Sequence, residues 1–257
     1  MTTDTSDSSS NLSFEIVDKL EKNIFLAQLL EQCNCPKESR KLLITELKCR
    51  ETNFNIDERI LFTSVNKKIL LGIRDTLLRI EVWEKECQRK NKHHHLNYLK
   101  EYKKYIYNEL AKFCEETISL VDEFLLKRSV DDESKVFYLK MKADYYRYMT
   151  EYAEEEAKRK IVVKSQKAYD EAFELSKKIP IFSYTRLGLI LNFAVFYHET
   201  LNEHKKAIEF SGEAIKDAEL GMAGIDENEE ENLETVKAYK ALKDRYERWK
   251  SEEEEEF

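Results

Sequence analysis

The chain has 257 residues, of which 37% are charged and 42% apolar, and its formal net charge is −8. This charge argues against nucleic acid as a partner, because nucleic-acid binding depends on clustered Lys and Arg side chains. No run reaches the roughly 18 apolar residues that a membrane span requires, so we expect no membrane partner either.

The chain contains only 5 Gly and 2 Pro, where an average chain of this length has about 18 and about 13. Because Gly and Pro interrupt regular structure, the sequence predicts an all-α protein of long helices and short joints. Apolar residues recur at helical spacing and predict nine helices, near residues 12–33, 37–51, 57–90, 96–127, 132–161, 164–179, 184–201, 204–221 and 229–250. No Gly/Pro/Ser-rich linker divides them, so we predict one domain over residues 12–250. A disordered N-terminal arm is expected over 1–11 and an acidic disordered tail over 251–257.

Several joints have identifiable causes. Pro36 can end the first helix and begin the second. Asp131 or Asp132 can cap the helix that starts near Ser134. Pro180 disfavours the helical conformation of the residue before it, so we predict a break there.

The fifth predicted helix carries two distinct faces. One is an apolar stripe at steps of four residues, which indicates packing: Phe137, Met141, Tyr145 and Met149. The other holds Lys140, Asp144, Arg147 and Tyr148, with Asp144 placed to pair with both Lys140 and Arg147. Such a clamp could orient the guanidinium toward an oxyanion. The alternative is an ordinary surface salt bridge.

The seventh predicted helix is apolar nearly all round, which is typical of an internal helix. Gly188, Asn192, Val195 and Glu199 follow one face of it. Buried polar groups must find partners or line a cleft. The residues alone leave open whether Asn192 is a satisfied core amide or part of a binding site.

Two blocks of sequence carry a family resemblance. SKVFYLKMKADYYRY at 134–148, and SQKAYDEAFELSKK at 165–178 followed by LNFAVFY at 191–197, resemble the 14-3-3 family. The resemblance covers roughly residues 12–257 and is strongest over 134–201. It implies nine antiparallel helices in an L-shaped or cup-shaped array, usually dimeric. It also implies a non-catalytic adaptor whose concave groove binds extended peptides containing phosphoserine or phosphothreonine.

The resemblance assigns roles to individual positions. Lys68, Arg147 and Tyr148 match the phosphate-binding residues, and Asn192 matches an asparagine that holds the peptide backbone. The expected peptide groove comprises Lys140, Asp144, Leu191, Asn192, Val195, Glu199, Ala241, Arg245 and Trp249.

The main departure from the family pattern is Asp75, which stands where the family has an arginine. The formal charges of Lys68, Asp75 and Arg147 then sum to +1. The corresponding lysine and two arginines of the family sum to +3, against a phosphate charge near −2. Two like charges about 4 Å apart cost on the order of 4 kcal/mol at an effective dielectric constant near 20. Even half of that energetic cost weakens phosphopeptide binding about tenfold or more. Asp75 can also pair with Arg79, four residues on.

Further departures fall on the last helix and on the expected dimer region. Arg245 replaces a second asparagine of the family, and it could return one positive charge to the groove. Leu29 and Tyr102 match the family's dimer region, whereas Cys35 and Pro36 replace an arginine and a tyrosine. We expect a homodimer, or a heterodimer with a 14-3-3 paralogue.

No pattern predicts a catalytic centre, a metal site or a cofactor. Three adjacent histidines, His93 to His95, rarely converge on one ion, and Cys33 with Cys35 lacks the further ligands of a closed zinc site. Five irregularly spaced cysteines favour a reducing compartment, so we predict a cytoplasmic protein.

The leading hypothesis is therefore an adaptor for phosphorylated client proteins with weakened phosphate recognition. One alternative is a scaffold that binds unphosphorylated or acidic clients, and another is a helical-repeat co-chaperone. A further hypothesis is that the acidic tail folds back onto Lys140, Arg147 and Arg245.

Overall fold

A computed structural model describes residues 22–222, 229 and 232–255. Within these residues the chain contains nine α-helices and no strand, so the all-α prediction is confirmed. The predicted arm at 1–11 and the start of the first predicted helix lie outside the described residues. The helices are α1 (22–32), α2 (Pro36–Cys49), α3 (Ile56–Arg89), α4 (His93–Leu120), α5 (Asp132–Thr150), α6 (Glu155–Ser176), α7 (Tyr184–Val195), α8 (His204–Gly221) and α9 (Leu233–Glu255).

Two helices end in a wider turn. A π-helical turn, Val121–Leu125, follows α4, and a second one, Phe196–Thr200, follows α7. With these turns included, the two helical segments end within two residues of the predicted ends at 127 and 201.

The predicted helix starts have the expected local chemistry. Pro36 lies in the first turn of α2, where its missing N–H costs nothing. The Asp131 side chain accepts a hydrogen bond of 2.7 Å from the Ser134 backbone N–H and caps α5. Ser183 caps α7 in the same way, accepting from the Arg186 N–H at 3.3 Å.

The predicted boundary between the fifth and sixth helices is wrong. The chain breaks at residues 151–154 instead of 162–163, so α5 ends at Thr150 and α6 begins at Glu155. Neither Gly nor Pro marks the break. Glu154 has an extended backbone (φ −64, ψ 149), and Glu155 and Glu156 occupy the first turn of α6. Acidic residues at a helix N-terminus interact favourably with its dipole, which supports a start at this point.

The predicted end of the last helix is also wrong. α9 runs through Glu255, so five of the seven residues assigned to a disordered tail are helical. Glutamate is a good helix former, and no Gly or Pro follows Trp249 to end the helix.

The chain divides into two compact units, one up to Phe113 and the other from Cys114. In the first unit α2 packs against α3. In the second, α7 contacts α5, α6, α8 and α9 and is an internal helix, as its composition predicts. The core of this second unit surrounds the fully buried side chains of Leu187, Leu189 and Phe193. The single domain stays a prediction.

The cap of α5 yields a stability test. Replacing Asp131 with Ala should lower the free energy of unfolding by about 1 kcal/mol, because the Ser134 N–H loses its acceptor. Urea unfolding measures this change. Asp132→Ala is the matched control, since the exposed ion pair of Asp132 with Lys178, at 3.8 Å, contributes little. Equal losses in both variants would contradict the capping role of Asp131.

Candidate functional site

Side chains from three helices of the second unit meet at the carboxylate of Asp144. Lys140 Nζ lies 2.9 Å from Asp144 Oδ2, and the Tyr169 hydroxyl donates to Oδ1 at 2.5 Å. Asn192 Nδ2 donates to both oxygens, at 2.9 Å to Oδ1 and 2.8 Å to Oδ2. Two residues expected in the groove, Lys140 and Asn192, are thus both hydrogen-bonded to a third, Asp144.

Arg147 lies one helical turn beyond Asp144 and is 8% exposed. Its ion pair is with Glu151, at 3.9 Å, and its guanidinium carbon lies 4.6 Å from the centre of the Tyr148 ring. The predicted Asp144–Arg147 ion pair is therefore wrong, because the Asp144 oxygens are occupied by other donors. Among the described residues, the buried Arg147 Nε has no hydrogen-bond partner.

Both cations of this site remain charged. Burial by itself lowers the pKa of Arg147, but Tyr169, Tyr148 and Asp144 outweigh burial and raise it. Burial likewise opposes the charge on Lys140, whereas the adjacent Asp144 carboxylate raises the Lys140 pKa above its ordinary value. The site therefore offers a fixed guanidinium beside a lysine that is already paired.

The remaining groove residues differ in their burial and in their contacts. Arg245 Nη1 lies 3.3 Å from Glu199 Oε1, so these two partly exposed side chains form an ion pair between α9 and the end of α7. Trp249 is 3% exposed and stacks on His198, with ring centroids 4.5 Å apart. Val195 is buried in the same core. Leu191 is partly buried and Ala241 is exposed.

The expected phosphate residue of the first unit, Lys68, is paired with a carboxylate. Lys68 Nζ lies 2.6 Å from Glu31 Oε1 and also donates to the Glu31 backbone oxygen at 3.0 Å. Hydrogen bonds from Lys68 and Ser64 lower the pKa of Glu31, so this carboxylate stays ionised. Asp75 and Arg79 form an ion pair of 2.7 Å, which confirms their predicted pairing.

The family model for the 14-3-3 protein matches residues 26–250. The chain is 36% identical to 14-3-3 protein beta/alpha-A of Xenopus laevis over 211 residues, covering 81% of this chain and 83% of the relative. It is 39% identical to 14-3-3 protein beta/alpha of Mus musculus over 202 residues, covering 76% and 78%. The chain belongs to the 14-3-3 family. Proteins of the 14-3-3 family are non-catalytic adaptors that bind phosphorylated clients and dimerise.

Across the described ranges of this 14-3-3 chain, no three His, Cys, Asp or Glu side chains are grouped so that they could hold a metal ion. None of the helices in those ranges is both long and apolar enough to cross a bilayer.

Residues 250–255 continue helix α9 beyond Trp249. Glu252 and Glu253 line a cleft of about 630 Å³ together with His198, His204 and Trp249. For residues 251–255, which continue helix α9, the structure therefore contradicts the hypothesis of an acidic tail folded back onto Lys140, Arg147 and Arg245. Residues 256–257 lie outside the described part of the chain.

Sequence reasoning missed three partners of the residues that it singled out in this 14-3-3 protein: Tyr169, Glu31 and Glu151. Glu151 stands four residues after Arg147, so helical spacing alone could have found it. Tyr169 lies inside the 165–178 block, but 25 residues separate it from Asp144. Glu31 and Lys68 are 37 residues apart on different helices. No local pattern relates either of these two distant pairs.

The histidine beside Trp249 gives a pH prediction. Burial, then His204 and Arg245, lower the pKa of His198 and outweigh Glu252 and Glu199, which act in the opposite direction. Because the folded-state pKa lies below the usual 6.5, the unfolded chain takes up the proton first as the pH falls. The free energy of unfolding should therefore decrease as the pH falls below about 6.5.

Urea unfolding of the wild type and of His198→Gln at about pH 7.5 and about pH 5.5 measures this effect. Between the two pH values, the free energy of unfolding should decrease less in His198→Gln than in the wild type. The control is His94→Gln, which removes an exposed histidine of α4. The assignment fails if the two variants show the same dependence on pH.

Proposed function

We propose that this 14-3-3 protein binds extended phosphopeptides around Arg147, Tyr148 and Asn192, with phosphate recognition weaker than the family pattern implies. The observation that carries the proposal is the state of Arg147. Its guanidinium is buried and charged, its ion pair with Glu151 is long at 3.9 Å, and its Nε has no hydrogen-bond partner among the described residues. The Nη atoms of this guanidinium can therefore donate to phosphate with little competition from Glu151.

The other basic residues support weakened recognition. Lys68, Arg79 and Arg245 each have a carboxylate partner, at 2.6, 2.7 and 3.3 Å. A phosphate group must compete with these carboxylates for the same donors. Partly exposed ion pairs contribute only about 0–1 kcal/mol, so the competition reduces phosphate affinity and does not abolish it.

A second candidate function is a scaffold for unphosphorylated or acidic clients. The Asp75–Arg79 ion pair favours it, because a carboxylate now stands where the family has a phosphate-binding arginine. A client that approaches through Glu or Asp side chains needs fewer strong cationic contacts than a doubly charged phosphate does. The co-chaperone alternative stays a prediction.

Phosphate dependence separates these functions. In fluorescence-polarisation titrations, a phosphoserine peptide of the family's preferred type should bind more tightly than its unphosphorylated twin. Arg147→Ala should weaken phosphopeptide binding by about tenfold or more, because it removes a charge-assisted donor. Measurements at low and at physiological salt report how far the contact is electrostatic.

Asp75→Arg restores the residue type that the resemblance implies at this position, and it should tighten phosphopeptide binding by roughly tenfold. Asp57→Arg is the matched control, with the same charge change near the start of α3. If the phosphorylated and unphosphorylated peptides bind equally to the wild type, the adaptor function gives way to the scaffold.

We further propose that the chain forms dimers through the first unit. Exposed apolar side chains are frequent there and include Phe25, Leu29, Val82, Trp83 and Tyr102. The rings of Tyr102 and Tyr105 stack with centroids 6.2 Å apart, which presents a continuous aromatic surface on α4. Whether the partner is a second copy or a 14-3-3 paralogue, and whether the protein is cytoplasmic, stay predictions.

Sedimentation tests the dimer. The wild type should sediment as a dimer, and Leu29→Asp should shift it to a monomer at the same concentration, because a carboxylate cannot be buried without a partner. Val163→Asp is the control, since Val163 is an exposed apolar residue of α6 in the other unit. A dimer that persists in Leu29→Asp would exclude this part of α1 from the interface.

A further inference from the structure

The phenol of Tyr169 has a single defined position in the core of the second unit. Its side chain is fully buried, and its ring stacks on Phe193 with centroids 5.0 Å apart and an interplanar angle of 10°. Phe196 contacts the same ring at 5.2 Å. Because aromatic side chains of α7 hold the ring, its hydroxyl is presented to Asp144 Oδ1 and cannot swing elsewhere.

Donor and acceptor chemistry then orients Asn192. An ionised carboxylate only accepts hydrogen bonds, so Tyr169 and Asn192 must both donate to Asp144. Burial, and then the Asp144 charge, raise the pKa of Tyr169 well above its usual range, so the phenol keeps the proton that it donates. Asn192 directs its NH₂ group to both Asp144 oxygens, which leaves the Asn192 Oδ1 as the acceptor for another N–H.

We propose that Tyr169 is a positioning residue for peptide binding, which orients the Asn192 amide through Asp144 without touching the peptide itself. This inference rests on the proposed function, because it assumes that Arg147 and Asn192 receive the ligand. It adds a residue of α6 to a site otherwise built from α5 and α7.

Tyr197 provides a close internal comparison. It is a buried tyrosine of the same aromatic cluster, with its ring 4.5 Å from that of Phe193. Its hydroxyl, however, is associated with Lys206 and Asp170 and not with Asp144. Removing either hydroxyl disturbs the same core, but only removal of the Tyr169 hydroxyl takes a donor from Asp144.

The experiment compares Tyr169→Phe with Tyr197→Phe in the full chain, using a fluorescein-labelled phosphoserine peptide. We expect Tyr169→Phe to weaken binding by roughly five- to tenfold and Tyr197→Phe by less than about twofold. In an Asn192→Ala background, Tyr169→Phe should lose most of its effect, because two residues that act through one contact are not additive.

A measurement without peptide separates this inference from the proposed function. Side-chain amide signals of Asn192, recorded by NMR, should show faster hydrogen exchange in Tyr169→Phe than in the wild type or in Tyr197→Phe. The positioning role is overturned if this exchange is unchanged. It is also overturned if Tyr169→Phe weakens binding equally with Asn192 and with Ala at that position. A wild type that binds no phosphopeptide would instead overturn the proposed function, while the exchange measurement still decides the role of Tyr169.

Discussion

A buried carboxylate sets the arrangement of the second unit. An ionised group in a protein interior costs several kcal/mol unless it is paired and hydrogen-bonded. Asp144 meets that requirement only through donors from three different helices: Lys140 on α5, Tyr169 on α6 and Asn192 on α7. Because no single helix can satisfy it, the three must dock in one register. The carboxylate therefore links the packing of the core to the geometry of the site.

Pairing with carboxylates also distinguishes the basic residues that the family resemblance singles out. Lys140, Lys68, Arg79 and Arg245 all have carboxylates within 3.3 Å. Arg147 differs, because its carboxylate partner is 3.9 Å away and its Nε is unsatisfied among the described residues. An unsatisfied buried donor costs about 1–3 kcal/mol.

Local chemistry explains how much could be predicted from sequence. The all-α class and the capping by Asp131 follow from composition and neighbouring residues, and the Asp75–Arg79 ion pair follows from helical spacing. The break at residues 151–154 could not be predicted, since it contains neither Gly nor Pro. Contacts across 25 or 37 residues, such as Tyr169–Asp144 and Lys68–Glu31, depend on how helices pack. Periodicity reports only which residues share one helix.

The π-helical turn at Phe196–Thr200 has a consequence for how this site tolerates changes in chain length. A π turn holds one residue more than the α-helical turn that it replaces. Asn192 precedes it and faces Asp144, whereas Glu199 lies within it and faces Arg245. Because the π turn takes up its extra residue within about one full rotation, loss of one residue here would return the segment to ordinary α-helical winding with little rotation of the chain that follows. The π turn changes the angle about the helix axis between Asn192 and Glu199, which a regular helix would place on one face.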